Sequence, residues 1–254
     1  MFKIIVAYDG TDFNGWQIQP NEPSITQALQ DSFAKRFDHK IKIVGASRTD
    51  AGVHAIGQVA AFRTDLVMDC QKMISAWNDI LPPTIVVRGI AQVADDFHPI
   101  YGVAQKTYWY HFFLDRPLPF VERYGWFFRY PLDMKKLEQS LQLFVGTHDF
   151  RSFCTGTDMG ENTVRTIESI ELVYKKEFGA WRIVVKGPGF MRHMIRRVVG
   201  ACMQVASKDE VEMDYLKNAL VQKDPKQTLV NAPAKGLCLY EIIYKKLKED
   251  SLHE

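Results

Sequence analysis

The chain has 254 residues, 46% hydrophobic and 24% charged, which fits one large globular domain or two smaller halves. Thirty-two Lys and Arg against 30 Asp and Glu leave +2, so net charge neither demands nor excludes a polyanionic partner, and a basic surface has to come from local clustering. With no apolar run near the ~20 residues that span a bilayer, no signal-peptide pattern in Met1–Val6 and no CxxC among Cys70, Cys154, Cys202 and Cys238, we expect a cytoplasmic protein with reduced thiols, no membrane association and no metal.

Phe2–Tyr8 is apolar and β-favouring and predicts a strand. Ser24 to Gln27 reads as a capping box ahead of a helix with Ile25, Ala28, Leu29 and Phe33 on one face. Lys40–Val44 and Gln58–Phe62 are the next two strands. Asp69 caps a second helix carrying Met73, Ile74, Trp77 and Leu81, which Pro82 and Pro83 stop. A fourth strand begins at Thr84–Val87. The order is β-α-β-β-α-β, a split βαβ or ferredoxin-like unit.

The second half repeats it. Thr107–Leu114 is an aromatic-rich strand, and Asp133 opens a helix with Met134, Leu137, Leu141 and Phe144 on one face. Strands at Ile167–Tyr174 and Trp181–Val185, helices at 190–206 and 213–221, and a strand at Leu237–Tyr244 complete it. The fold class is therefore α+β, with two ferredoxin-like halves in one extended antiparallel sheet and helices mainly on one face. The run Asp95 to Pro99 marks a composition break. It suggests an N-terminal half at 1–103, a C-terminal half at 104–246 and a charged tail at 247–254.

Four segments carry candidate chemistry. The connection Ala46–Ala55 is long for a hairpin loop of ~2–5 residues and holds Ser47, Arg48, Thr49, Asp50 and His54. A carboxylate can act as nucleophile or general base, and a nearby guanidinium favours its charge. An Asx-turn at Asp50 ahead of Gly52 is the competing reading. In the second segment, Phe190, Met191, Met194, Ile195, Val198 and Val199 make an apolar helical stripe. Arg192 and Arg196 share another face beside His193 and Arg197. Gly200, one turn on, leaves that face open to close approach. The face is either simply solvated or a phosphate-binding stripe. Third, the strand from Lys106 to Phe113 puts Tyr108, Tyr110 and Phe112 on one side and Trp109, His111 and Phe113 on the other. Such aromatics are either core or a stacking surface for a nucleobase. Fourth, Asp9 to Gln17 is a turn rich in Gly, Asp and Asn; it is superficially like the phosphatase motif DxDGT, whose nucleophile position is Ala7 here.

Together these segments resemble the tRNA pseudouridine synthase A family. The matching stretches are YDGTDFNGWQIQ at 8–19, SRTDAGVHA at 47–55, DDFHP at 95–99, KTYWY at 106–110, GTHDFRSF at 146–153, GPGFMRHMIRRVVG at 187–200 and APAKGLCL at 232–239. They span nearly the whole chain, and their ordered set is specific. The resemblance implies isomerisation of uridine to pseudouridine in the anticodon stem-loop of tRNA, by a homodimer that needs no cofactor. It implies Asp50 as the catalytic carboxylate, Tyr108 against the target base and Arg196 paired with Asp50. We expect these three in one cleft between the halves, the ion pair within about 4 Å. Arg48, Thr49, His54, Lys106, Arg192, His193 and Arg197 are the candidate RNA contacts, with Arg116, Arg123 and Arg129 behind them.

There are three departures from the family pattern. Ser47 stands where Gly is usual, Pro99 and Ile100 where Ala-Arg is frequent, and Lys106 where Arg is common. Lys keeps the charge and loses the fork geometry. Two rival readings share the β-α-β-β-α-β order. One is a pair of RRM-like RNA-binding units, which the aliphatic Gln58–Phe62 strand disfavours. The other is a small-molecule enzyme on a ferredoxin-like fold.

Overall fold

A computed structural model describes residues 1–155 and 162–245. The expected charged tail at 247–254 lies outside the described residues. The first half runs β1 (Phe2–Tyr8), α1 (Ile25–Phe37), β2 (Val44–Gly45), β3 (His54–Phe62), α2 (Cys70–Asn78) and β4 (Ile85–Gln92). The second runs β5 (Val103–Phe113), β6 (Trp126–Phe127), α3 (Met134–Gln142), β7 (Gly146–Asp149), β8 (Val164–Ile167), β9 (Ser169–Lys175) and β10 (Ala180–Gly187). It ends with α4 (Met194–Ser207), α5 (Asp214–Gln222) and β11 (Leu237–Tyr244). Among the described residues no helix is long and apolar enough to cross a membrane.

Side-chain caps set three helix starts by satisfying amides that the helix leaves orphaned. Ser24 Oγ accepts from the Gln27 amide, the Asp69 carboxylate from Gln71 and Lys72, and the Asp133 carboxylate from Lys136. The Gln27 side chain does not close the box; it donates to Asp31 Oδ1 at 2.6 Å.

The main sheet has the order β4-β1-β3-β11-β5-β10-β9, with β2 added to β3 and β6 to β5. It divides into two sets with the same order of last, first, third and second strand: β4-β1-β3-β2 and β11-β5-β10-β9. Pairings along the path are antiparallel except at the seam, where β3 and β11 run parallel through Cys238↔His54 and Leu239↔Ala55.

The helices cover one face of the sheet. Phe2, Ile4, Val6 and Tyr8 alternate inward along β1. Phe33 of α1 and Trp77 of α2 pack edge-on against Phe62 at 5.3 and 5.7 Å. Trp77 Nε1 donates to buried Ser32 Oγ at 2.9 Å, so the indole carries no unpaired donor into the core. In the second half Tyr108, Tyr110 and Phe112 are buried, whereas Trp109 and His111 are half-buried on the opposite face.

Two expected elements differ. Of the strand expected at Lys40–Val44, only Val44 pairs with β3, together with Gly45. The Ile43 amide is taken by the Gln30 side chain at 2.9 Å, which withdraws it from the ladder. The helix expected at 190–206 begins at Met194, because His193 adopts a left-handed φ of 62° that a helix cannot continue through. Gly200 does not leave its face open. A Cβ there would lie 2.1 Å from Val230 O, so the close approach is by the chain itself.

Candidate active site

The loop at 46–53 is held by the segment that precedes α1. Trp16 N donates to Thr49 O at 3.1 Å and Gly52 N to Phe13 O at 3.2 Å. Gly15 has φ 89°, and a Cβ on it would stand 2.4 Å from Thr49 O, so only glycine fits. The turn at 9–17 is thus a brace for the Asp50 loop. From inside the sheet, the buried Gln58 side chain clasps Ser47, accepting from its amide at 3.3 Å and donating to its carbonyl at 2.6 Å. The Asp50 backbone turns back through Val53 N to Asp50 O, 3.1 Å. The carboxylate therefore projects from a fixed position.

The second half supplies what faces it. Arg196, in the first turn of α4, donates from Nε to Ala232 O at 2.8 Å and from one terminal nitrogen to Asp50 Oδ2 at 3.3 Å. His193 Nε2 lies 3.5 Å from the same oxygen, and Arg192 Nε 3.9 Å from Oδ1. The His193 ring is fixed by a 2.5 Å bond between Nδ1 and Thr155 Oγ1. Partial burial pushes its pKa down; the Asp50 charge opposes that shift, and the arginines around it add to it. Tyr108, on β5, has its hydroxyl 2.9 Å from Ser47 Oγ and its ring against the edge of Phe190 at 5.4 Å. Burial pushes the phenol up to about 12. Asp50, Tyr108 and Arg196 line one cleft of ≈ 820 Å³ between the halves, of a size that takes a nucleoside.

The other candidate contacts separate into two groups. Arg48 lies exposed on the cleft rim, and Arg192 and Lys106 also line the cleft. Among the described residues Arg48 makes no ion pair with Asp50; the guanidiniums beside that carboxylate come from across the seam. His54 and Arg197 do not line the cleft, and Thr49 lines it with its hydroxyl already engaged. Thr49 is buried with its hydroxyl on Tyr8 at 2.8 Å. His54 opens β3 pointing to the other side, with Nδ1 3.2 Å from both the Gly10 amide and Asp9 Oδ1. Arg197, one position past Arg196, turns about 100° round the helix and donates to Ser152 O at 3.1 Å and Cys154 O at 3.2 Å. Arg123 is also engaged, 3.5 Å from Asp9 Oδ2.

Phe190 and Lys42 line the cleft and were not among the expected contacts. Phe190 was assigned to a helical stripe. It precedes the left-handed His193 that delays α4, so it lies outside the helix and its ring faces Tyr108.

Chemically, the cleft offers a carboxylate with cationic neighbours, an aromatic pair and cationic side chains at the mouth. That set suits an anionic, base-bearing substrate. A family model described as tRNA pseudouridine synthase matches residues 4–102 and 141–245. The chain is 36% identical over 249 residues to tRNA pseudouridine synthase A 1 of Protochlamydia amoebophila, covering 96% of each. It is 38% identical over 248 residues to tRNA pseudouridine synthase A of Exiguobacterium sibiricum, covering 98% of each. The enzyme of that name from Thermodesulfovibrio yellowstonii is 34% identical over 252 residues, covering 95% of this chain and 98% of its own. On these matches the chain belongs to the tRNA pseudouridine synthase family.

Proposed function

We propose that this protein converts uridine to pseudouridine in the anticodon stem-loop of tRNA, with Asp50 as the catalytic carboxylate. The observation that carries the reading is the meeting of Asp50, Tyr108 and Arg196, from a loop, a strand and a helix, in one cleft. The reaction is an internal rearrangement. The bond from base N1 to sugar C1′ breaks, a bond from C5 to C1′ forms, C5 loses a proton and N1 gains one. Product and substrate are isomers, so no oxidant or group donor enters.

A base stacked in a stem has to leave the stack before any side chain reaches its sugar. The aromatic pair Tyr108 and Phe190 receives it, and Arg196 holds the Asp50 carboxylate in place. Arg48 and Arg192, at the mouth, meet phosphates, while Arg197 and His54 take structural roles. The proposal extends to a homodimer, which the family resemblance implies, working in the cytoplasm. The test is incubation with unmodified tRNA followed by carbodiimide treatment. Alkali-stable adducts should appear at uridines of the anticodon stem-loop, and their absence from every tRNA would overturn the reading.

A further inference from the structure

Lys106 and Tyr108 stand two residues apart on β5 and share a face, and one side chain from the other half bridges them. Lys106 Nζ donates to Ala46 O at 2.9 Å and to Ser47 Oγ at 3.3 Å. Ser47 Oγ lies 2.9 Å from the Tyr108 hydroxyl oxygen. The direction of this chain follows from what each group can offer. An ammonium only donates, so Ser47 accepts from Lys106. The charged donor on its oxygen polarises the Ser47 O–H and strengthens it as a donor, which favours donation to the Tyr108 oxygen over acceptance from it. In that arrangement Tyr108 keeps its own proton for another partner, and its side chain lines the cleft.

We infer that Ser47, backed by Lys106, is a positioning residue that turns the Tyr108 hydroxyl proton toward the bound nucleoside. The Gln58 clasp on both the amide and the carbonyl of Ser47 fixes the backbone from which its hydroxyl projects. Burial lowers the Lys106 ammonium to about 8, which leaves it mainly protonated, and a donor, at neutral pH. The bridge also crosses the seam, so the direction of the phenol proton depends on both halves being docked. Asp50, Arg192, His193 and Arg196 share the cleft with Tyr108. Among the described residues none of them bonds Ser47 or Lys106.

This inference rests on the pseudouridine synthase reading, and its test separates the two. Steady-state pseudouridine formation is measured for the natural protein, Ser47→Ala, Lys106→Met and the double variant. Each single change should lower kcat about tenfold, the effect of losing one charge-assisted hydrogen bond, with KM for tRNA unchanged. The double variant should also lose about tenfold, because both changes cut the same path. Three results would overturn the inference: a Ser47→Ala kcat equal to that of the natural protein, a rise in KM at constant kcat, or a roughly hundredfold loss in the double variant. A natural protein that forms no pseudouridine at all would instead sink the functional reading.

Discussion

Asp9 and Asp50 have similar surroundings on paper. Asp9 lies 3.2 Å from His54 and 3.5 Å from Arg123; Asp50 lies 3.5 Å from His193 and 3.3 Å from Arg196. Their side chains are 14% and 19% exposed. They differ in how their oxygens are used. Asp9 accepts from the Thr11 amide at 3.0 Å, the Thr11 hydroxyl at 2.6 Å and the Tyr124 hydroxyl at 3.0 Å. Among the described residues the one hydrogen bond to the Asp50 carboxylate is the 3.3 Å contact from Arg196. A carboxylate offers about four lone-pair sites. Asp9 has used most of them to tie the turn after β1 to the turn at 122–124. Asp50 holds most of them in reserve, over an open cleft. Basic side chains nearby therefore do not mark the reactive carboxylate here; unused acceptor capacity does.

Asparagine at each position breaks or sharpens this contrast. Asp50→Asn should lower pseudouridine formation by roughly 10⁴-fold or more, the scale of removing an essential catalytic group, with an unchanged melting temperature. Asp9→Asn should do the reverse. It weakens a saturated cluster, so unfolding titrations should read a loss of about 1–3 kcal/mol, and turnover per folded molecule should stay within about threefold. An inactive but fully stable Asp9→Asn would end the distinction.

The arginines of α4 offer a second pair. Arg197→Ala strips donors from two carbonyls and should cost about 2 kcal/mol of stability without changing the salt dependence of tRNA binding. Arg192 is 56% exposed. Arg192→Ala should leave stability alone and flatten the slope of log affinity against log salt by about one. Equal slopes for Arg192→Ala and the natural protein would place the phosphate surface elsewhere.

The smallest expected effect is a pH signature of the closed cluster. Burial pushes the His54 pKa down, and nearby Asp9 opposes it without cancelling it. Below the ordinary histidine value of about 6.5 the unfolded chain then binds more protons than the folded one, so stability falls as pH falls through that range. His54→Gln should flatten this acid limb in pH-dependent melting. An acid limb of the same slope in His54→Gln would assign it to other groups.

Much of the fold was legible because its determinants are local. Ser24, Asp69 and Asp133 announce their helices by capping chemistry, and the β11 limits coincide with the apolar run at 237–244. What escaped depends on contacts across the chain. Gln30 claims the Ile43 amide from another element, so an alternating segment forms only a two-residue strand. A left-handed His193 is invisible to helical periodicity, and it decides where α4 begins. In the site, the meeting of Asp50, Tyr108 and Arg196 was legible from ordered motifs. The partners of Thr49, His54 and Arg197 were not. Each adjoins a cleft residue or belongs to the same motif, but half a strand turn or a hundred degrees of helix sends its side chain elsewhere. Ser47 stood out as a departure, whereas its bond to Tyr108 exists only once the halves meet.

The seam also dictates an order of events during synthesis. β11 is the last strand in the described chain, yet it lies in the middle of the sheet, between β3 and β5. While the ribosome is still adding earlier residues, the exposed flanks of β3 and β5 wait for a strand that has not emerged. Such flanks invite pairing with a neighbouring chain. Only when residues 237–244 slide between them does the cleft acquire both walls. A nascent chain can therefore fold much of its first half and still be unable to bring Arg196 to Asp50, so the cleft is assembled only after β11 has emerged.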